Sequence, residues 1–349
     1  MSVASGAVAD PHAYLRGQTR WRPVEVVFWL ATLLPYFLFP DYLVLASQIA
    51  ITALFALSLD LILGYAGIVS LGHAAFFGLG AYTAGLAAKH GWGEPISGLV
   101  LAALVAGTVG YGASFIVSRF RHLALIMITL GMGLLLEQAA NSASWLTGGA
   151  DGLQGVTMAP ILGRFSFDIA GHTAYVYSLV VLFLLFLFCR RLVNSPFGLS
   201  LRAVKGNPTR AAAVGISVNA RLVAIYTVAA GIAGIAGALL TQTTQFASLD
   251  VLDFNRSADV QLVLVIGGIG YLYGGLIGAI LFKLMQDYLA SVTPQYWQFW
   301  IGLLLVILVL VGRERLAAFR AWIRHLIARV FRTGGSGAVT ASAPSAKEP

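Results

Sequence analysis

Gly64-Tyr65-Ala66-Gly67-Ile68-Val69-Ser70-Leu71-Gly72-His73, followed by Gly78 and Gly80, carries enough backbone freedom to break a helix inside an otherwise apolar run. The stretch 258–290 repeats that composition with Gly267, Gly268, Gly270, Gly274, Gly275 and Gly278. Paired glycine-interrupted apolar segments in two halves of a chain point to a transport site between membrane helices, near the bilayer midplane. Close packing of helices through small residues accounts for the same glycines, and both readings stay open. The pairing suggests an internal repeat.

Working outward, the whole chain is apolar. Its 349 residues are 58% hydrophobic and only 10% charged, which excludes a soluble domain with a polar surface. Apolar runs of roughly 17 to 25 residues, each long enough to cross about 30 Å of hydrocarbon as a helix, recur throughout. They fall near 24–40, 42–63, 66–88, 96–118, 122–143, 174–193, 220–242, 258–290 and 296–312. The fold class expected is therefore an all-α polytopic membrane protein. Residues before Val24 lack an apolar core and a small-residue cleavage site, so the first span is expected to act as a retained signal anchor. The single cysteine, Cys189, excludes an intrachain disulfide and a cysteine metal cluster.

Basic residues orient the chain, because short cytoplasmic loops are enriched in Lys and Arg. They gather at Arg16, Arg20 and Arg22; at Arg119 and Arg121; at Arg190, Arg191, Arg202, Lys205, Arg210 and Arg221; and from Arg313 to Arg332. With the N-terminus inside, six crossings return the chain inside at Arg190. Asp41, Glu94, Asp151, Asp168, Asp250 and Asp253 then fall outside, with Lys89, Arg164 and Arg256 as the cations there. To bring Arg313 back inside, the 258–290 stretch must turn back on itself. A glycine-broken or hairpin segment there gives about ten membrane-embedded helices. The organisation expected is a cytoplasmic segment 1–23, a transmembrane domain 24–312, a basic amphipathic helix 313–332 and a disordered tail 333–349. The 313–332 helix suits an anionic lipid surface, and the tail is rich in Gly, Ser, Ala and Pro.

Within the domain, one polar island spans 194–219. Asn194-Ser195-Pro196-Phe197-Gly198 stops the preceding helix. Leu201 to Val204 forms a short helix, Gly206-Asn207-Pro208 breaks it, and Thr209 to Val214 is a second helix ended by Gly215. Two short helices make a compact knob able to pass on rigid motion. An ordinary basic loop that only fixes topology would have no need of the Gly-Asn-Pro break or the alanine run.

Ionisable residues in or near spans are Asp60, His73, Glu137, Lys283 and Asp287. Asp60 and Asp287 lie near helix ends and are expected to snorkel to water. Lys283 and Asp287, four apart, share a helical face and could pair. His73 is read either as a polar pathway residue or as a hydrogen-bonded packing histidine. With Glu137, the candidate pathway residues are Gly64, Tyr65, Gly67, Ser70, His73, Gly267 and Gly268. No His/carboxylate cluster has metal spacing, and no nucleophile has a base, so no catalytic, cofactor or metal residues are named. A P-loop needs a Gly-Lys pair, and the four lysines, Lys89, Lys205, Lys283 and Lys347, follow Ala, Val, Phe and Ala.

The segment Gly64 to Tyr82 closely resembles the signature of branched-chain amino acid ABC transporter permeases of the LivH/LivM type. The loop from Ser195-Pro196-Phe197-Gly198 through Arg202-Ala203-Val204-Lys205-Gly206-Asn207 to Gly215-Ile216 is similar to that family's coupling loop. Ala230-Gly231-Ile232-Ala233-Gly234-Ile235-Ala236-Gly237-Ala238 resembles the helix that follows. The resemblance covers about 42–316, and His122 to Gly131 with Thr147 to Leu153 look more like LivM than LivH. Gly206 and Pro208 flank Asn207 where the family commonly carries an acidic residue, and the ending at Gly312-Arg313-Glu314-Arg315-Leu316 is looser than usual. The resemblance implies a permease without its own ATPase site, resembling the larger ABC importer permease fold, in the bacterial inner membrane. Its implied partners are a LivH-like second permease, two cytoplasmic ABC ATPase subunits that use ATP, and an extracytoplasmic solute-binding protein facing 144–173 and 243–257. ATPase contact falls on Gly198, Arg202, Lys205, Asn207, Arg210 and Gly215. The alternatives are an ion-coupled secondary transporter using Glu137 or Asp287, and, more remotely, a membrane enzyme.

Overall fold

The computed structural model describes residues 23–120, 123–161, 163–168, 170–303 and 306. The expected segments 1–22 and 313–349, with Arg121 and His122, lie outside the described residues. The described chain is all helical, with isolated β-bridges at Leu153–Ala247 and Ile161–Phe165.

Between Pro23 and Val292 thirteen α-helices are present among the described residues: α1 (Pro23–Ala31), α2 (Leu34–Leu38), α3 (Leu43–Asp60), α4 (Ala74–Lys89), α5 (Pro95–Val117), α6 (Leu123–Ser142), α7 (Ser144–Thr147), α8 (His172–Val193), α9 (Pro196–Gly206), α10 (Pro208–Ala213), α11 (Val218–Thr244), α12 (Phe254–Gly267) and α13 (Leu272–Val292). Six apolar helices, at Pro40–Ala66, Pro95–Val117, Leu123–Ser142, His172–Val193, Val218–Thr244 and Leu272–Val292, are long enough to cross a membrane. Neither number is the ten embedded helices expected: that count already divided 258–290 and included 296–312, part of which lies outside the described residues. The thirteen, by contrast, include the short α2, α7, α9 and α10, and the expected spans at 24–40 and 66–88 are divided and shortened. The span expected at 24–40 splits into α1 and α2 at Thr32–Leu33. Pro35 has no N–H to donate back along the helix, so the ladder is interrupted there. The span expected at 66–88 begins only at Ala74, since 67–73 is not helical.

The turn-back expected in 258–290 is present. α12 ends at Gly267, and Gly268 and Gly270 turn the chain with φ of 110° and 79° before α13 starts at Leu272. α12 has 14 residues, about 21 Å at 1.5 Å per residue, which is short of a full crossing.

α11 is the centre of the helical unit. Its Ala229, Ala230, Ala233, Ala236 and Ala238 are all fully buried, and such small side chains let α4 and α5 approach closely. α3 is the other interior helix, buried on every side from Ala53 to Asp60. α6 by contrast exposes Leu123, Met127, Leu134 and Leu135, an apolar surface that a lipid or protein neighbour must cover. Beyond Tyr288 the chain forms a separate unit. There it turns at Thr293 to Tyr296 and is helical again over 297–303, where the Phe299 and Trp300 rings meet edge to face at 5.6 Å.

Candidate functional site

The site is the place where the two glycine breaks meet each other and the polar island. α3 runs into a π-helical turn, Leu61–Ala66, that closes at Gly67 with φ 76°. From inside this region the Asp60 carboxylate accepts a hydrogen bond at 2.7 Å from the amide of Gly270, in the second break. A β-carbon at Gly64 would sit 2.7 Å from that amide nitrogen and 2.2 Å from Asp60 Oδ1, so only glycine allows the two breaks to touch. Asp60 is fully buried, contrary to the expectation that it reaches water. A neighbouring backbone that needs an acceptor keeps it in, because a buried amide without a partner is costly.

The polar island grips the same place. From α9 the Lys205 ammonium donates to the carbonyl of Gly64 at 2.5 Å, and its stem lies over Gly67. The Arg202 guanidinium stands 5.4 Å from the centroid of the Tyr65 ring, at cation–π distance. The first glycine break therefore lies at the end of the bundle that carries the island, not midway along it.

The island itself is two helices, with α9 longer than expected. Pro196 starts α9 instead of stopping the chain, since proline at the first helical position loses no hydrogen bond, and the Ser195 hydroxyl accepts from Gly198 N. Leu201 and Val204, three apart, bury the inner face of α9. The Asn207 side chain caps α10 by accepting from Arg210 N at 3.0 Å. Gly215 N donates to Ala212 O and Ile216 N to Ala211 O, a Schellman ending with Gly215 at φ 87°. Arg202, Lys205, Asn207, Arg210 and Gly215 are exposed, as is Val214 at 82%. Gly198 is buried against the Val193 carbonyl.

The rest of the first break is tied to neighbouring helices. Gln261 of α12 donates to Ser70 O at 2.8 Å, the Ser257 hydroxyl accepts from Ala74 N at 2.9 Å, and Thr129 of α6 accepts from Leu71 N at 3.2 Å. Ser70 and His73 are both fully buried. The Ser58 hydroxyl gives its proton to Phe55 O at 2.6 Å, so its oxygen accepts from His73 Nε2–H at 2.9 Å, and the imidazole stacks on Phe55 at 5.5 Å. Glu137 is half-buried near the far end of α6, on a helix that carries neither break. Gly267 and Gly268 form the second break with Gly270.

Lys283 does not pair with Asp287. It donates to Gln286 at 2.9 Å, and it lines a small polar cavity with Gln48, Thr52, Arg256 and Asp259. Asp259 escaped the sequence reading, although Arg256 and Asp259 at three-residue spacing on one helix were a signal for it. So did the ion pair of Glu25 with Arg190 at 2.8 Å, which ties α1 to α8. No group of three or more His, Cys, Asp or Glu side chains placed to hold a metal occurs among the described residues.

Residues 42–309 match the model of a family described as branched-chain amino acid transport system / permease component. The chain is 25% identical over 288 residues to the high-affinity branched-chain amino acid transport system permease protein LivM of Salmonella typhimurium, covering 76% of this chain and 67% of that one. It is 25% identical over 303 residues to its namesake in Escherichia coli K12, covering 80% and 71%. It is also 28% identical over 287 residues to the L-arabinose ABC transporter permease protein AraH of Azospirillum brasilense, covering 78% and 77%. No solved structure matches. With most of its length matched and its apolar helices arranged around two glycine breaks, the chain belongs to the branched-chain amino acid transport permease family.

Proposed function

We propose that this chain is a membrane-spanning subunit of an ATP-driven ABC importer for branched-chain or related amino acids. It works beside a LivH-like second permease, with two cytoplasmic ATPase subunits docked on α9 and α10 and a solute-binding protein on the opposite face. ATP is bound and hydrolysed by those partners, and both ends of this chain lie on the cytoplasmic side of a bacterial inner membrane.

The observation that carries the reading is the chain of contacts from α9 to both breaks: Lys205 to Gly64 O at 2.5 Å, then Asp60 to Gly270 N at 2.7 Å. A push on the exposed face of α9 and α10 is delivered to the ends of α3 and α12 without passing through a flexible linker. Those ends are where the backbone already departs from a helix, so rotation there breaks few hydrogen bonds. ATP-bound and ATP-free partners hold the knob in two positions, and their differential contacts set which side of the pathway is open.

Affinity purification of the tagged chain from its native membrane tests the docking claim. The intact chain should bring down an ATP-hydrolysing subunit, and a variant lacking 202–214 should insert but recover none. A well-inserted wild-type chain that never carries an ATPase would overturn the reading in favour of an ion-coupled carrier.

A further inference from the structure

The polar cavity formed by α3, α12 and α13 is about 110 Å³, far below the roughly 300–1,000 Å³ of ordinary ligand sites, so it has room only for a small solute. We infer that it holds the head group of an α-amino acid, its carboxylate against Arg256 and Lys283 and its ammonium against Asp259. The inference rests on the permease reading above and adds to it the place and polarity of the solute.

Gln48, Ile51, Thr52 and Phe55 occupy positions i, i+3, i+4 and i+7 of α3 and present one face to the cavity. Arg256, Asp259 and Val260 do the same from α12. The charged groups keep bonding capacity in reserve. Arg256 spends one guanidinium nitrogen on Asp250 at 3.2 Å, and Lys283 spends one donor on Gln286 at 2.9 Å. A guanidinium has five N–H donors and an ammonium three. Asp259 forms no salt bridge among the described residues. Beyond the Arg256–Asp250 pair, the half-buried Lys283 ammonium and Asp259 carboxylate form no salt bridge among the described residues, and a zwitterion answers both: a lone carboxylate ligand would leave Asp259 unanswered, and a neutral sugar would leave both Asp259 and Lys283 unmatched. The buried rings of Phe55, Phe77 and Phe282 also line the cavity and suit an aliphatic side chain.

The position links solute to gate. Thr52 precedes Gly64 by 12 residues on α3, and Arg256 precedes Gly268 by 12 on α12, so each cavity wall stands about 18 Å up its helix from a glycine break. Two of the helices that line the cavity, α3 and α12, are the ones that run into the breaks, and α13, which carries Lys283, starts from the second.

The only cysteine, Cys189, is buried, so a thiol placed in the cavity reports alone. The Q48C chain, in vesicles from cells that co-express its partners, is labelled with a methanethiosulfonate reagent. L-leucine, L-isoleucine or L-valine should slow labelling, while isopentylamine, which lacks the carboxylate, and 4-methylpentanoate, which lacks the amine, should not. Adding R256Q should weaken the protection about tenfold or more, as expected for a lost hydrogen bond to a charged group. Its labelling rate without solute, unchanged from Q48C, would show that the cavity is intact; D259N serves as a second variant if R256Q fails to insert. Equal protection by the amine or acid alone, or protection that survives both substitutions, overturns the inference. ATP-driven L-leucine uptake by the same vesicles separates the two levels. Uptake without protection overturns the cavity assignment alone, and absence of both overturns the amino-acid reading with it.

Discussion

A β-carbon at position 64 would stand 2.2 Å from the Asp60 carboxylate and 2.7 Å from the Gly270 amide, and neither neighbour is the free end of a long side chain. Gly64→Ala should therefore pry the two breaks apart. The cost expected for overpacking such a contact is about 1–3 kcal/mol, read as a lower thermal midpoint, together with loss of transport. A variant with wild-type midpoint and uptake would show that the breaks need not touch. The glycine-rich run was legible in the sequence as either a helix break or close helix packing, and at Gly64 it serves both, since the backbone leaves the α-helix there and touches Gly270. The fate of Asp60 was not. Its partner amide lies 210 residues away, and a helix-end carboxylate looks the same in sequence whether it reaches water or turns inward to a backbone.

Helix ends were the most legible elements, since their chemistry is local. Pro196, Asn207-Pro208 and Gly215 each mark a boundary that the structure places within a few residues of where the sequence put it, and the turn at Gly268 to Tyr271 follows from the glycines around it. Asn207 caps α10 with its side chain. Asn207→Ala should destabilise that short helix by about 0.5–2 kcal/mol, seen as faster amide hydrogen exchange over 210–213 with exchange in α11 unchanged. Less legible was the start of α8, where Asp168, four positions before its first residue, accepts from Thr173 N at 3.0 Å and from His172 Nδ1 at 2.9 Å. Burial pulls this carboxyl upward, but the hydrogen bonds from Thr173 and His172 outweigh it and hold it at about 2, below its ordinary 3.8. A carboxyl depressed in this way adds stability that is complete above its unfolded value and is lost as pH falls through the folded one. Wild type should unfold at a higher temperature than D168N at pH 6, and the gap should close toward pH 2. A gap independent of pH would contradict the assignment. The division of the first span into α1 and α2 was not anticipated, because one proline in an apolar run marks a kink as readily as a break.

On the scale of the whole molecule, composition alone pointed to a membrane, and the glycine-broken segment expected in 258–290 is the break between α12 and α13. What composition could not supply was which parts touch. The island, the two breaks and the polar cavity are separated along the chain, yet they lie on one continuous path through α9, α3 and α12. In the proposed mechanism this path carries motion from the surface proposed to dock the ATPase to the helices that line the proposed solute cavity. Lys205→Met keeps the aliphatic stem over Gly67 and removes only the hydrogen bond to Gly64 O. The most direct test is to measure, in the same vesicles holding the assembled transporter, the ATP hydrolysis rate and the solute uptake of wild type and K205M. The account predicts that K205M still assembles and hydrolyses ATP while uptake per ATP falls about tenfold, the loss expected from one charged hydrogen bond. An unchanged ratio of uptake to hydrolysis would show that the loop does not drive the breaks through this contact.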